Sequence, residues 1–187
     1  MADFPAYAMP APPVLTPFHP DSLGLALTGA EAGAAGQLED ATSGTWGTAN
    51  RAFYYPFKLY APAVATQLLF FVGAASAGNI DVGIYTAEGS KIVSSGSTAM
   101  SATVNTVQEL NITDTALPPG EYLLAVVCSS TSGSIFRINN SDEVLLPAIL
   151  IYEEDAALPL PAMATPVVPT ATTVPIAVVG IQFASAF

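Results

Sequence analysis

The chain reads Asn79-Ile-Asp-Val-Gly-Ile-Tyr85, a stretch in which apolar residues occupy every second position. This alternation is the period of a β-strand with one buried face. We therefore predict that Ile80, Val82 and Ile84 point into a hydrophobic core. Asp81 is expected on the opposite face, exposed to solvent.

Further strand signals lie on both sides of this stretch. They are Arg51–Tyr60, Val64–Val72, Lys91–Ser95, Thr103–Ile112, Tyr122–Cys128 and Ser134–Ile138. The run Tyr122–Cys128 is almost continuously apolar, which is typical of a central strand buried on both faces. Pro56 predicts an edge position or a bulge, because proline cannot donate to a strand ladder. Glu88-Gly89 and Leu117-Pro-Pro-Gly-Glu121 predict turns, the second with Gly120 at positive φ.

Short strands at a spacing of roughly 8–15 residues, without a convincing amphipathic helix, predict an all-β protein. We expect a single antiparallel β-sandwich, jelly-roll-like, over residues 46–152. Residues 1–45 are expected to form an extended Pro-rich N-terminal arm, and residues 153–187 a C-terminal arm or final strand. A short helix over Asp21–Ala35 is an option that its glycines weaken. Ile176–Phe183 could complete this sandwich or pair with a neighbouring subunit.

Both ends of the chain are poor in charge and rich in proline. The first 20 residues contain six prolines and one carboxylate, Asp3. Residues 156–187 contain five prolines and no Asp, Glu, Lys or Arg. Proline favours extended backbone, and an uncharged segment is expected to lie against protein. Such ends are typical of a protein that is built into a larger assembly.

Length and charge narrow the class of protein. A chain of 187 residues holds one domain plus arms. Charged residues are 10% of the chain, against roughly 25% in ordinary globular proteins. The net charge is −11, with only Arg51, Lys58, Lys91 and Arg137 basic. This balance argues against nucleic-acid binding, which needs clustered Lys and Arg.

Cysteine usage and hydropathy add two further expectations. Cys128 is the only cysteine, so neither an intrachain disulfide nor a cysteine-based metal site is expected. The N-terminal residues lack the pattern of a secretory signal. No run of about 18 apolar residues is present, so a membrane span is not expected either.

Several motifs resemble those of a group of small structural proteins of tailed bacteriophages. They are Thr45-Trp-Gly-Thr-Ala-Asn-Arg-Ala-Phe-Tyr-Tyr-Pro-Phe57, Gly78–Gly89, Ser94–Thr98, Thr115–Tyr122 and the Leu158-Pro…Thr165-Pro-Val…Val174-Pro-Ile run. The resemblance extends from about Trp46 to the end of the chain. Proteins of this group are minor virion, head-decoration or tail proteins, with sandwich domains that look like binding modules.

The resemblance implies a virion structural protein, first as a capsid decoration (cement) protein or minor capsid protein. A tail or baseplate accessory protein is the second placement, and a carbohydrate-binding host-attachment module is the alternative from another class. The implied partners are other virion proteins, either major capsid or tail proteins, together with copies of the chain itself. Symmetric assemblies predict a homo-oligomer such as a trimer.

A catalytic role is poorly supported by the sequence. His19 is the only histidine and lies in the Pro-rich arm, whereas a general base needs a nucleophile and an orienting carboxylate held nearby. No Gly-x-Ser-x-Gly elbow occurs. We therefore predict that the protein is not an enzyme and has no catalytic residues.

Carboxylates could serve a glycosidase or bind Ca²⁺ where they are paired. The candidates are Asp81, Glu88, Asp114, Asp142, Glu143 and Glu153-Glu154-Asp155. The spacing of an EF-hand loop is absent, and unpaired surface carboxylates are the ordinary case. Glu153-Glu154-Asp155 is accordingly expected to be a solvated loop. No metal or cofactor is predicted.

A group of aromatic residues offers a possible sugar-stacking platform. Its members are Trp46, Phe53, Tyr54, Tyr55, Phe57 and Tyr60. Strand alternation places Phe53, Tyr55 and Phe57 on one face and Tyr54 on the other. Aromatic side chains dominate the energetics of cores and interfaces, so core or subunit interface is favoured over a sugar site.

Overall fold

The computed structural model describes residues 25–28, 42–138, 151–155, 157–169 and 176–184. Within these ranges every regular element is a β-strand, so the predicted all-β class is confirmed for them. The strands are β1 (Leu25–Thr28), β2 (Thr42–Thr45), β3 (Ala52–Leu59), β4 (Ala63–Val72), β5 (Asn79–Thr86), β6 (Lys91–Ser94), β7 (Thr98–Ala99), β8 (Thr106–Leu117), β9 (Gly120–Cys128), β10 (Ser134–Ile138), β11 (Tyr152–Glu154), β12 (Ile176–Ala177) and β13 (Val179–Phe183).

The described strands form two antiparallel sheets. Sheet A has seven strands in the order β1-β13-β4-β10-β12, with β8 also pairing β4 and β2 also pairing β10. Sheet B has six strands in the order β11-β3-β9-β5-β6, with β7 also pairing β5. The chain passes between the sheets at β2–β3, β3–β4, β4–β5, β7–β8, β8–β9, β9–β10, β10–β11 and β11–β12, so the two sheets fold as one unit.

One hydrophobic core lies between the sheets. Sheet A contributes alternate residues of β4, including Leu68 and Phe70, and sheet B contributes alternate residues of β5. Ile80, Val82 and Ile84 are all fully buried in this core, as their alternation predicts. The arrangement is therefore sandwich-like, with the inner faces of both sheets sharing one apolar interior.

The central strand of sheet B is β9, which lies between β3 and β5. Every residue from Tyr122 to Cys128 is buried, which confirms the prediction from its apolar run. Pro56 lies in the part of β3 beyond Tyr54, where β11 no longer pairs with it. That half of β3 is an edge among the described strands, which explains why proline is tolerated there.

Hairpins and turns follow the sequence with one exception. Glu88-Gly89 lies in the β5–β6 hairpin, and Gly89 has a φ of 90° that glycine adopts readily. The Pro118-Pro119 turn joins β8 to β9, and these strands belong to different sheets. Gly120 is not in the left-handed conformation, so the prediction of positive φ is wrong. A connection between two sheets does not need the tight reversal of a hairpin.

The chain ends contribute strands to sheet A. Leu25–Thr28 pairs with β13 as a strand, so the optional helix over Asp21–Ala35 is wrong for these four residues. Ile176–Phe183 supplies β12 and β13, which pair with β10 and β4 of the same chain. Of the two alternatives for this segment, completion of its own sheet is the observed one. Its core-facing residues Val179, Ile181 and Phe183 are buried.

Candidate functional site

The clearest built feature outside the core is a loop that crosses the outer face of sheet B. It comprises residues 157–166 and is called the covering loop below. Glu153 and Val167 bracket it and exchange two backbone hydrogen bonds, with N···O distances of 2.8 and 2.9 Å. A loop whose ends meet in this way has the form of an Ω-loop, which packs its own side chains beneath it.

A second apolar cluster lies under the covering loop. Sheet B supplies Tyr54 and Tyr85 among others, and the loop supplies Ala157, Leu160 and Ala164. Leu160 is 2% exposed. A Cβ on Gly83 would lie 2.9 Å from Leu160 Cδ1, so the glycine leaves room for this side chain. This part of the uncharged segment therefore lies against protein, as predicted, and the protein it covers is its own sheet.

Asp81 lies beneath this loop rather than in solvent. It is fully buried, so the prediction of a solvent-facing carboxylate is wrong. Its Oδ2 accepts a hydrogen bond from the Leu160 backbone N–H at 3.0 Å, and its Oδ1 accepts one from Ser95 Oγ at 3.2 Å. Burial raises the pKa of Asp81, and these hydrogen bonds offset only part of the increase.

Three more contacts fix the same part of the loop. Lys91 Nζ donates to the Leu160 carbonyl at 2.7 Å, and Tyr85 Oη donates to the Pro161 carbonyl at 2.6 Å. The backbone of Lys91 donates to the Ala162 carbonyl at 2.9 Å. Both the N–H and the C=O of Leu160 are thus held by side chains of β5 and β6, which replaces the ladder that a loop backbone lacks.

The acidic residues Glu153-Glu154-Asp155 are not a solvated loop, so this prediction is wrong for the first two. Glu153 and Glu154 belong to β11, and Glu153 is only 9% exposed. Arg51 forms ion pairs with Glu153 at 3.4 Å and with exposed Asp155 at 2.7 Å. These contacts raise the pKa of Arg51, and the hydrogen bond from Arg51 lowers the pKa of Asp155.

Glu154 ties the return of the covering loop to the sheet. Tyr54 Oη donates to Glu154 Oε2 at 2.6 Å, and Thr165 donates to Glu154 through both its hydroxyl and its backbone N–H. Burial, followed by this hydrogen bond, raises the pKa of Tyr54. The phenol therefore stays protonated and remains a donor at neutral pH.

Five of the six aromatic residues proposed as a stacking platform are packed in the core or in the cluster under the covering loop. Trp46, Phe53, Tyr55 and Phe57 lie in the core between the sheets, and Tyr54 lies under the covering loop. The predicted division of faces is confirmed. Tyr60 is the exposed member of the group at 70%, with Lys58 Nζ 5.8 Å from its ring centroid. One exposed ring does not make a stacking platform.

The remaining candidates do not converge on a site. Glu88 and Asp114 are exposed at separate positions, and the pKa of Glu88 is lowered by a hydrogen bond from Thr86. His19, Asp142 and Glu143 lie outside the described residues. In the described part of the chain, no group of three or more His, Cys, Asp or Glu side chains is arranged to hold a metal ion.

Cys128 is a free, fully buried thiol at the end of β9. Burial raises its pKa, which keeps it in the unreactive protonated form. Among the described residues, no helix is long and apolar enough to cross a membrane.

Comparison with known proteins gives no relative from which a function could be transferred. The chain matches no family model, no curated protein and no solved structure.

Sequence reasoning missed the residues that hold the covering loop. The sequence identifies Asp81 as a carboxylate on a strand, Lys91 as an isolated cation and Tyr85 as the last residue of an alternating strand. It does not show that these side chains contact the loop. The usable signal is the uncharged Leu158-Pro-Leu-Pro161 run, which has to be buried somewhere. What the arrangement can do is mechanical, because Asp81, Lys91 and Tyr85 each direct polar atoms to the loop backbone.

Proposed function

We propose that this protein is a non-catalytic structural component of a tailed-bacteriophage virion, with capsid decoration (cement) as its role. In this role the sandwich sits on the particle, and the N-terminal residues, which are poor in charge, reach across to a neighbouring virion protein. The protein forms homo-oligomers in the assembled particle. Jelly-roll-like connectivity is part of the proposal, and the repeated passage of the chain between sheets A and B supports it.

The observation that carries the proposal is a contrast within one chain. The described C-terminal segment packs on its own domain, as the covering loop and as strands β12 and β13. The first 20 residues have a similar Pro-rich composition, with Asp3 as their one charged side chain. They lead into β1, a four-residue strand at the end of the strand order of sheet A. An apolar segment that starts from an edge is well placed to bind a neighbour.

The energetics of such an arm are favourable in outline. Each Å² of apolar surface removed from water stabilises by roughly 25 cal/mol, so an arm burying about 800 Å² gains on the order of 20 kcal/mol gross. Ordering the arm opposes much of this gain. Prolines reduce that loss because they restrict the free chain beforehand.

The charge distribution supports binding to a neutral or basic partner surface. Two of the four basic residues are paired within the chain, since Arg51 contacts Glu153 and Asp155 and Lys58 contacts Glu121. Lys91 donates to the covering loop. The net charge is −11, and among the described carboxylates Glu88, Glu109 and Asp114 are exposed without an ion pair. Contact through an arm whose one charged side chain is Asp3 avoids bringing these carboxylates together.

The decisive experiment removes residues 1–20 and leaves β1 in place. The truncated protein should stay folded but fail to co-sediment with particles that lack the native protein. A matched full-length variant, Val14→Asp with Leu15→Asp, should also bind weakly, because it places charge in the arm without shortening it. Binding of both variants at the level of the intact protein would refute an arm-mediated role.

Separated heads and tails distinguish the two placements on the particle. Binding to heads supports decoration of the capsid, whereas binding to tails alone would move the protein to the tail or baseplate. Deletion of residues 156–187 is not a clean test, because it removes β13 and the covering loop from the fold itself.

A further inference from the structure

The longest strand in the described part of the chain has one edge that pairs with no other described strand. β8 runs for 12 residues, and among the described strands it pairs only with β4. Its outward row includes Val107, Glu109 and Asn111, which are all exposed, while Leu110 points into the core. The backbone groups on its other edge therefore have no partner strand among the described residues. A long exposed edge is a template for pairing with another strand.

Most devices that block edge pairing are missing from β8. It contains no proline and no lysine, and its two charges are Glu109 and Asp114. One irregularity is present, where the register with β4 shifts between Ala65 and Gln67. The residues Thr106–Val107–Gln108–Glu109–Leu110–Asn111 remain in regular register with β4. By contrast, the free half of β3 carries both Pro56 and Lys58, so the two edges are protected to different degrees.

The chain's own remaining segments are poorly suited to fill this edge. In residues 1–24 no stretch longer than four residues is free of proline, and each proline removes a ladder donor. Residues 139–150 connect β10 to the residue before β11. In sheet A, β10 and β8 lie on opposite sides of β4. In sheet B, the strand that contacts β8 is β6, and β11 is at the opposite end of that sheet. Both ends of that connection thus lie away from β8. The same holds for both ends of residues 29–41, because β1 pairs with β13 and β2 pairs with β10, on the other side of β4 from β8.

We propose that β8 is the docking edge for β8 of a second copy of this chain. Two identical edges pair antiparallel about a twofold axis, so each copy offers the other a strand of matched length. The pairing makes one continuous sheet out of two copies of sheet A, and main-chain hydrogen bonds supply the contact. β8 carries two carboxylates, Glu109 and Asp114, and no base, so main-chain hydrogen bonds rather than ion pairs hold the two copies together.

The proposed dimer does not depend on the protein being a virion component. Only the role of the dimer in the particle rests on the proposed function. The dimer replaces the expected trimer with a twofold contact at this edge, because antiparallel pairing of identical strands closes after two copies. The dimer is a property of the purified protein. Its presence or absence is therefore measured without particles and separately from arm binding.

The test places like charges along the regular part of the edge. Sedimentation equilibrium of the purified full-length protein should show a reversible dimer. The Val107→Glu/Asn111→Glu variant should weaken dimerisation at least about tenfold, because like charges brought together across an interface are strongly unfavourable. The control Ala87→Glu/Gln182→Glu adds the same charge at exposed positions away from β8 and should change the dissociation constant by less than about twofold.

A charge-reversal mixture separates pairing from misfolding. The Val107→Lys/Asn111→Lys variant should recover dimers when mixed with the Glu variant, because opposite charges then face each other across the edge. Amides on the free edge of β8 should exchange with solvent more slowly as protein concentration rises. The proposal would be overturned if the protein is monomeric at all concentrations, if the Glu variant still forms dimers, or if the mixture forms no heterodimers. Pairing of β8 with an unrelated strand instead of a second copy would also overturn it.

Discussion

The outer face of sheet B is buried, whereas the outer face of sheet A at β8 is exposed. On sheet B, the side chains that point away from the core, such as Tyr54 and Tyr85, are fully buried by the covering loop. On the β8 side of sheet A, the equivalent outward residues Val107 and Glu109 remain exposed. The difference shows that strand alternation assigns a residue to a face, whereas burial depends on what the rest of the chain places over that face.

The largest expected effect is the loss of the side chain that anchors the cover. Leu160→Ala should destabilise the protein by about 2–5 kcal/mol, the usual range for truncating a buried leucine. Val107→Ala on the open face should change the unfolding free energy by no more than about 0.5 kcal/mol. Chemical denaturation of both variants checks the contrast. Equal costs would show that the loop is not packed as a cover.

Removal of the buried carboxylate should have the next largest effect. Asp81→Ala leaves the Leu160 N–H without its acceptor, which should cost about 1–3 kcal/mol. Asp81→Asn keeps an acceptor oxygen and should cost clearly less at neutral pH. Thermal unfolding of the pair measures the difference, and identical losses in the two variants would argue that the hydrogen bond to Leu160 does not hold the loop.

Tyr85→Phe should have a smaller effect, because it removes only the hydroxyl that donates to Pro161. The expected loss is about 0.5–1.5 kcal/mol, the typical net value of one hydrogen bond. Tyr60→Phe on the exposed Tyr60 is the matched control and should leave stability unchanged. Faster amide exchange at Ala162 and Ala164 in the Tyr85 variant would locate the loss in the loop.

The smallest effect is a pH dependence carried by Asp81. Its folded pKa is raised above the ordinary value of 3.8, so at a pH between these two pKa values the folded state holds a proton that the unfolded state has released. Stability therefore falls as pH rises from that value through the folded pKa. Asp81→Asn removes this ionisation and should gain stability relative to the native protein over the same interval. Urea unfolding at several pH values tests the sign, and a relative loss with rising pH would contradict it.

The exposed ion pair contributes in the opposite direction. Arg51 lowers the pKa of Asp155, so its contribution is present above the ordinary carboxyl pKa and is lost as pH falls through the folded value. The comparison of Asp81→Asn with Asp155→Asn therefore separates a buried carboxylate from a surface one by the sign of the slope.

Much of the sandwich follows from local pattern. The alternation in β5 and the continuous apolar run in β9 predict their positions, because both depend only on which faces of one strand are buried. Pro56 likewise marks an edge from its own covalent structure. These are properties of neighbouring residues, and a single sequence displays them directly.

The candidate site depends on contacts that the sequence does not display. Leu160 lies 79 positions from Asp81, and the sequence shows no feature that pairs an apolar loop with one particular carboxylate. The strand at Glu153-Glu154 is held in place because Tyr54 of β3 and Arg51, the residue before β3, bind these side chains. β1 is set by pairing with β13, more than 150 residues later, which overrides a weak local preference for helix.

The state of Cys128 has a practical consequence for attaching probes. Since the chain's single thiol is sealed inside the sandwich, a cysteine introduced on the surface would be the only position open to maleimide chemistry. A fluorophore or spin label could then be placed on β8 or on the covering loop without altering any native residue elsewhere. Distances between labels on two copies would report directly how the subunits are arranged on a surface.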